Sequence, residues 1–383
     1  MSSTKLIILC DLDDTLLIND FNTFLPAYLK AFSKTITLLP EKVFVSNLLS
    51  GTNQMISNQN PTRTLQDVFD ASFFSAVGLN KPTLEPIIDH FYSKVFHTLQ
   101  PLTAPIAESK KIIEYALERH HHTVIATNPL FPFTATAQRL GWAEISPRDY
   151  PYDLITTYET FHFCKPNIAY YAEILGKLGW LENPAVMIGN DLEGDIRPAS
   201  ALGLPTYWIN PALQTPNFER HPLSGQGDIS GVVPWLEKVS EQSDNAVQIS
   251  PQSLPHVLQS TPAVFDSLLN RDHLTQKLST DKTISHFLGE LSRQETAHLE
   301  TLKSLLAGRS FNQVSNENLP ALNQEVNYLQ AYFCQRKTLL AEIRNFSNKF
   351  QSLEDDQEFC EFLKTVVHID QNLIREITAL LSD

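Results

Sequence analysis

Three aspartates follow an apolar segment near the amino terminus of the chain. In the stretch LIILCDLDDTLL, the carboxylates are Asp11, Asp13 and Asp14, and Thr15 comes next. Neighbouring carboxylates repel each other unless a cation or a proton compensates their charge. Because residues two apart on an extended backbone point the same way, Asp11 and Asp13 can face one ligand. The stretch is therefore either an exposed turn or a site that holds a metal ion.

Three later segments carry polar side chains at comparable positions. TVIATN ends in Thr127 and Asn128, FHFCKPN contains Lys165, and VMIGNDLEGD contains Asp191 and Asp195. In an open parallel sheet, ligands bind at the carboxyl ends of the strands. If each segment is or follows a strand of one sheet, these carboxylates, the hydroxyl and the ammonium meet at one edge.

Short apolar segments alternate with helical patterns over much of the chain. This alternation predicts an α/β fold, a doubly wound parallel sheet with helices on both faces. The predicted strands are residues 5–12, 123–127, 153–157, 185–189 and 205–210. Residues 21–99 have helical patterns alone, so we interpret them as an insertion into the sheet domain.

The carboxyl-terminal part of the chain differs from the sheet domain. Residues 210–231 are rich in Pro, Gly and polar residues, which predicts a loop. A last short element of the sheet domain follows in VVPWLEKVSEQ, and SDNAVQISPQS is the expected linker. Four helical patterns follow, and their short connections indicate an antiparallel four-helix bundle. The predicted domains are a sheet core of residues 1–20 and 100–243, the helical insertion of 21–99, and the bundle of 244–383.

The polar segments together resemble the four motifs of the haloacid dehalogenase (HAD) superfamily, in the order that the family has them. The motifs are DxDxT from Asp11 to Thr15, a strand that ends at Thr127, then Lys165, and finally Gly-Asn-Asp-x3-Asp with Asp191. The resemblance covers about residues 4–210. It implies a Rossmann-like core and identifies the helical insertion as a cap that closes over a small soluble substrate.

The resemblance also implies a role for each residue. Asp11 would attack phosphorus and carry an aspartyl-phosphate, and Asp13 would act as general acid and then as general base. Mg²⁺ would be held by Asp11, the main-chain carbonyl of Asp13, and Asp191. Thr127 and Lys165 would stabilise the phosphoryl group. Supporting roles fall to Asn128 and to Asp195, which would orient Lys165 or the waters of the metal ion.

The resemblance leads to one preferred function and several alternatives. The preferred function is a Mg²⁺-dependent phosphatase that acts on a small phosphorylated metabolite. An acid at Asp13 favours phosphoryl transfer over dehalogenation, because expelling a halide needs no proton for the leaving group. A phosphomutase, or a non-catalytic binding protein of the same fold, stays open as an alternative.

The carboxyl-terminal helices weakly resemble a DinB-like four-helix bundle, a family that commonly holds a divalent metal ion through three histidines. Phe287 and Asn372 stand where histidines are expected, and the nearby His286, His298 and His368 are out of register. We therefore expect an interaction module that joins a second copy of the chain or a partner protein. A metal-dependent transferase centred on this bundle is a further alternative.

Composition limits the class of protein. The chain has 383 residues, 42% of them hydrophobic, and a net charge of −14, so a nucleic-acid partner, which requires a basic face, is not expected. No apolar run is long enough to span a membrane, and we expect a cytoplasmic protein. Its four cysteines are scattered and predicted to be reduced. The histidine run in ERHHHT is interpreted as a solvated helix end.

Overall fold

The structure is a computed structural model that describes residues 4–60, 63–178 and 183–243 of the chain. Its main sheet has six strands, all parallel to their neighbours. These strands are β1 (Ile7–Cys10), β4 (His122–Ile125), β5 (Leu154–Ile155), β6 (Ala185–Gly189), β7 (Thr206–Ile209) and β8 (Gly225–Gly227). Their order across the sheet is β5-β4-β1-β6-β7-β8. Strands β1 and β6 lie in the middle and are buried along their length, as the predicted α/β core requires.

Nine α-helices connect or flank the strands within the described residues. They are α1 (Phe21–Thr35), α2 (Glu41–Ile56), α3 (Leu65–Val77), α4 (Lys81–His90), α5 (Ala107–Glu118), α6 (Phe133–Trp142), α7 (Ile168–Lys177), α8 (Arg197–Ala201) and α9 (Val232–Gln242). Two π-helical segments, Phe91–Val95 and Leu192–Ile196, and two 3-10 segments, Phe96–Leu102 and Ile229–Gly231, complete the helical structure.

Helices α1 to α4 form the predicted helical insertion. Two short strands flank it, β2 (Leu17–Ile18) and β3 (Ala104–Pro105), and they pair with each other in antiparallel orientation. Their pairing brings the two ends of the insertion together. Inside the insertion, aromatic rings pack closely, as in the stacked pair of Phe32 and Phe91, whose ring centroids are 4.0 Å apart.

Local sequence explains where these helices begin and end. The side chain of Asp20 caps α1 by accepting from the amide of Asn22. Helix α3 begins with a capping box in which Thr64 and Asp67 satisfy each other's amides, and it ends at Gly78 with a positive φ of 68°. Short polar side chains and glycine thus separate the helices at positions that the sequence marks.

The prediction of a loop over residues 210–231 is wrong at β8. The Gly-Gln-Gly sequence of this strand has no apolar or β-branched residue to indicate a strand. It forms because Gly225 pairs with Tyr207 at the edge of the sheet. A side chain at Gly225 would approach the rings of Tyr207 and Trp235 to 2.9 Å, so glycine permits this close packing.

The histidine run is a solvated helix end as far as His120, which is exposed like Glu118 and Arg119, but not at His121. Helix α5 ends at Glu118 and His120 has a positive φ of 56°. His121 is buried and accepts a hydrogen bond from the amide of Leu6 at its Nδ1 atom, 3.0 Å away. The run therefore joins α5 to β4 and fixes the start of β1.

None of the helices among the described residues is long and apolar enough to cross a lipid bilayer. The predicted carboxyl-terminal bundle, with its histidines and two of the four cysteines, lies outside the described residues.

Candidate active site

The central strands end level with one another at the edge where the site was predicted. Cys10, the last residue of β1, pairs with Ile125 of β4 and Ile188 of β6. The main chain continues this pairing for one more residue, since the amide of Asp11 donates to the carbonyl of Ile188 over 2.9 Å. Residues that follow the three strands therefore start from the same edge.

Asp11 is buried beside a cation. Its Oδ1 atom lies 2.7 Å from Nζ of Lys165, and its Oδ2 atom accepts from the hydroxyl of Thr15 over 3.1 Å. Burial raises the pKa of Asp11, and the charge of Lys165 opposes this rise. A carboxylate at the end of a buried strand thus stays within hydrogen-bond distance of an ammonium group.

Lys165 bridges two carboxylates. Its Nζ atom lies 2.6 Å from Oδ1 of Asp195 as well as 2.7 Å from Asp11. Burial alone would lower the pKa of Lys165, but Asp11 and Asp195 raise it well above its ordinary value. Burial and the charge of Asp11 raise the pKa of Asp195 to about 7, although Lys165 opposes them. The ammonium group of Lys165 is therefore shared between the buried carboxyl groups of Asp11 and Asp195.

Two glycines make room for the aspartates that follow β6. A Cβ atom at Gly189 would overlap the carboxylate of Asp195, and one at Gly194 would come within 2.7 Å of the carboxylate of Asp191. The Oδ2 atom of Asp195 also accepts from the amide of Asp191 over 3.1 Å. Larger residues at either glycine would displace an aspartate.

Asp191 is exposed at the start of the π-helical segment, and its Oδ1 atom accepts from the amide of Glu193. Among the described residues, no three His, Cys, Asp or Glu side chains group to hold a metal ion. The donors expected here are two carboxylates, of Asp11 and Asp191, and the carbonyl of Asp13. This oxygen set fits Mg²⁺, which keeps several waters and often takes one or two protein carboxylates.

Asp13 has two partners that sequence reasoning did not find. Its Oδ2 atom lies 2.6 Å from Nη1 of Arg139, and its Oδ1 atom accepts from Nδ2 of Asn19 over 2.8 Å. Arg139 is 1% exposed, and its guanidinium also lies over the ring of Phe131, 4.6 Å from the centroid. The side chain of Asp13 is 32% exposed, so it can reach solvent or substrate while the buried arginine holds it.

Thr127 and Asn128 lie at the same edge. Thr127 is buried, and its carbonyl accepts from the hydroxyls of Thr156 and Tyr170 over 2.6 and 2.8 Å. The Oδ1 atom of Asn128 accepts from the amide of Lys165 over 3.3 Å. Asn128 thus contacts the main chain of the residue that carries the bridging ammonium group.

Asp14, Cys10 and Cys164 lie near the site residues in the sequence and have no proposed catalytic role. Asp14 adopts a positive φ of 54° in a turn, and its side chain accepts from the amide of Asn19. Cys10 and Cys164 are free and buried, and burial raises the pKa of Cys10 to about 12. Thiolates at these positions are therefore disfavoured, as expected for small apolar residues.

The structure brings together most of the residues that the motifs identified. Direct contacts link Asp11, Lys165 and Asp195, and Asn128 touches the Lys165 main chain. Missing from the sequence reasoning were Arg139 and Asn19, because neither belongs to a motif. The fold is the predicted α/β class, with the site at the carboxyl ends of parallel strands.

Comparisons with known proteins add one sequence relative. No protein-family model matches the chain. The ribulose-1,5-bisphosphate 5-phosphatase of Halopiger xanaduensis is 30% identical over 128 residues, which are 33% of this chain and 52% of that protein. The chain thus matches about half the length of this curated relative.

Solved structures that match the chain cover about three fifths of it. A HAD phosphatase from Thermococcus onnurineus has 16% identity and a TM-score of 0.38, with 60% of this chain and 97% of that chain covered. A 2-haloacid dehalogenase from Pseudomonas syringae has 19% identity and a TM-score of 0.42, with 61% of this chain and 99% of that chain covered. The putative HAD-hydrolase YfnB of Bacillus subtilis, bound to magnesium, has 18% identity and a TM-score of 0.38, with 61% of this chain and 99% of that chain covered.

Proposed function

We propose that the protein is a HAD-like phosphoric monoester hydrolase, a Mg²⁺-dependent phosphatase. The observation that carries this proposal is the ammonium group of Lys165 between the buried carboxylates of Asp11 and Asp195, at 2.7 and 2.6 Å. Asp13, two residues beyond Asp11, supplies a second, partly exposed carboxylate. The name of the Halopiger relative, a phosphatase, supports the same reaction class.

In the proposed reaction, an oxygen of Asp11 attacks phosphorus and the bond from phosphorus to the ester oxygen breaks. Asp13 gives its proton to that departing oxygen, which leaves as an alcohol. Asp13, now a carboxylate, takes a proton from water, and the water oxygen attacks phosphorus to release phosphate and restore Asp11. Lys165 and Thr127 donate hydrogen bonds to the phosphoryl oxygens, where negative charge concentrates.

Repulsion between the phosphate ester and Asp11 is the main obstacle to this reaction. The residues that would hold Mg²⁺ are Asp11, Asp191 and, through its carbonyl, Asp13. When bound, the ion supplies positive charge that offsets the repulsion. Asp195 is assigned to orient Lys165, which it contacts, and Asn128 to fix the main chain of Lys165.

We infer that the substrate is a small phosphorylated sugar. The support is the name of the curated relative, which acts on a sugar bisphosphate. We also propose that residues 1–20 and 100–243 form the catalytic core and residues 21–99 the cap that selects the substrate. Residues 244–383 are proposed to be a helical bundle that joins another protein chain.

Hydrolysis of 4-nitrophenyl phosphate and of a panel of sugar phosphates by the full chain tests the function. We expect turnover with Mg²⁺, loss of turnover with EDTA, and no turnover in Asp11→Asn, because an amide cannot form the acyl phosphate. Asp14→Asn is the matched control. Asparagine tolerates its positive φ and can still accept from Asn19. Robust turnover by Asp11→Asn would contradict the proposal.

A further inference from the structure

A cavity of about 570 Å³ lies between helices α1 to α4 and the loops that follow β4 and β5. This volume is in the range of small-molecule binding sites. Among the described residues that line it, none is a proposed catalytic or metal-binding residue. Asp11, Lys165 and Asp195 thus do not line the cavity.

The cavity walls are mainly apolar and aromatic. Side chains from three helices of the insertion contribute, among them Phe32, Phe44, Leu48 and Phe73, and Phe131 faces them from the loop after β4. Aromatic walls of this kind favour an apolar group, because its burial removes apolar surface from water. They also favour a cation, since the faces of aromatic rings are electrostatically negative.

The charged residues of the lining are mostly acidic. Lys81 is the one Lys or Arg among the described lining residues, and it lies 2.8 Å from Asp70 and 3.8 Å from Glu85. Two more carboxylates line the cavity, Asp89 and Glu159. The charge of Lys81 is thus already shared, and the acidic excess disfavours an anion such as a phosphate ester.

One of these carboxylates has an oxygen without a partner. The Oε1 atom of Glu159 accepts from the amide of Phe133 over 2.9 Å, whereas its Oε2 atom is buried and has no hydrogen-bond donor among the described residues. A buried acceptor without a donor destabilises the protein that contains it. A ligand that carries an N–H group would satisfy Glu159 and gain a charge-assisted hydrogen bond.

We propose that this cavity binds a protonated organic amine whose substituent is aliphatic or aromatic. The substituent lies against the wall that the packed rings of Phe32, Phe44 and Phe73 form, and the ammonium group donates to Glu159. The amine comes from one of two sources: a free ligand, or the non-phosphorylated part of a substrate. The binding itself does not depend on the proposed hydrolysis.

Calorimetry with the full chain and three probes of similar size tests the proposal. The probes are 2-phenylethylammonium, 2-phenylethanol and 3-phenylpropionate, which share an aromatic ring and differ in charge. We expect the ammonium ion to bind at least about tenfold more tightly than the carboxylate, with the alcohol between them. No binding of the ammonium ion, or equal binding of the anion, would overturn the proposal.

Two substitutions with opposite expected effects locate the site. Glu159→Gln keeps a carbonyl oxygen for the amide of Phe133 but removes the charge, so we expect binding of the amine to weaken about tenfold and binding of the alcohol to change little. Lys81→Met removes the competing cation and should tighten amine binding. The matched control is Glu108→Gln on α5, a partly exposed glutamate outside the cavity lining. Unchanged amine binding in both cavity variants would overturn the assignment.

Hydrolysis of 4-nitrophenyl phosphate in the presence of the amine separates its two sources. A rise in KM alone would identify the amine as part of a substrate, and a change in kcat alone would identify a separate ligand. Either result supports the amine site. Because the calorimetry requires no turnover, failure of the proposed hydrolysis would leave the binding test intact.

Discussion

At the scale of single residues, the buried charges of the site do not balance. Among the residues that the structure describes, Lys165 is the one cation in contact with Asp11 and Asp195, and the pKa of Asp195 rises to about 7 because burial and Asp11 disfavour its charged form. A phosphate ester would add further negative charge. The geometry therefore favours a divalent cation as a third component, held by oxygen atoms on the side of Asp11 and Asp191.

Asp13→Asn should slow the hydrolysis of an alkyl phosphate by about 10²–10⁴-fold, since it removes the general acid and base and keeps the main-chain carbonyl. The loss in the first step should be smaller for 4-nitrophenyl phosphate, whose leaving group needs no proton. Steady-state and single-turnover rates for both esters measure the difference. If Asp13→Asn hydrolyses an alkyl phosphate at the wild-type rate, Asp13 is not the proton donor.

Arg139 belongs to no motif, and it contacts Asp13 over 2.6 Å. We expect Arg139→Met to lower kcat by about 10–10²-fold with little change in KM, because Asp13 loses its fixed orientation. Arg139→Lys should recover part of the loss by restoring a charge without the guanidinium geometry. In a double-mutant cycle with Asp13→Asn, the two losses should not add. Full additivity would show that Arg139 acts independently of Asp13.

At the scale of elements, helix α7 connects two of the site's loops. Adjacent tyrosines on this helix donate in different directions. Tyr170 donates to the carbonyl of Thr127 over 2.8 Å, and Tyr171 donates to the carbonyl of Gly194 over 2.7 Å. Both tyrosines are buried, so the surrounding side chains hold their rings and these hydrogen bonds in place. One helix thus sets the distance between the segments after β4 and β6.

The start of β1 depends on a neutral histidine. Burial, with help from Arg119 and His122, lowers the pKa of His121 from 6.5 to about 4. Protonation would place an N–H group of His121 against the amide of Leu6, which now donates to it. Because the unfolded chain binds this proton near pH 6.5 and the folded chain near pH 4, the free energy of unfolding falls as pH decreases between those values.

We therefore expect the free energy of unfolding of the wild-type protein to fall by about 1–3 kcal/mol between pH 7 and pH 4 because of His121. His121→Gln keeps a hydrogen-bond acceptor that does not titrate, so this part of the pH dependence should disappear. Urea unfolding at several pH values measures it, with the exposed His97→Gln as control. An identical pH dependence in His121→Gln and wild type would assign the effect to other groups.

At the scale of the whole molecule, segments that are distant in the sequence contact each other at two places among the described residues. The pair β2–β3 joins the two ends of the helical insertion, and α9 returns to the first described residues, where the amide of Thr4 donates to the carbonyl of Ser240 over 2.9 Å. Trp235, Leu236 and Val239 of α9 are buried. From these contacts we expect a domain boundary after α9.

A chain of residues 1–243 should accordingly fold and hydrolyse phosphate esters at a rate comparable to the full chain, since all the proposed site residues lie within it. A shorter chain that ends at residue 231 should not fold stably, because it lacks the buried face of α9. Circular dichroism, thermal unfolding and turnover of both chains test this. A folded but inactive 1–243 chain would mean that residues 244–383 contribute to the site.

The sequence by itself determined the α/β class, most strand positions, the helical insertion and the residues that follow each strand. These features depend on local periodicity and on the ends of parallel strands, which adjacent residues encode. Asp11 directly follows β1, and Asp195 follows β6 within one turn of a helix start, whereas Lys165, ten residues beyond β5, was predicted from the order of the motifs. Strand β8 was missed because its glycines gain their structure from Tyr207 on the neighbouring strand.

Only the tertiary structure decided which side chains meet across elements. Arg139 lies 126 residues from Asp13, and no pattern in α6 distinguishes it from a surface arginine. The unpartnered oxygen of Glu159 likewise lies where the insertion meets the loop after β5, beside the hydrogen bond from the amide of Gln66 to the carbonyl of Tyr158. Such contacts depend on side-chain packing between distant segments, which has no period along the chain. The motif residues could therefore be read from the sequence, and the residues that hold them could not.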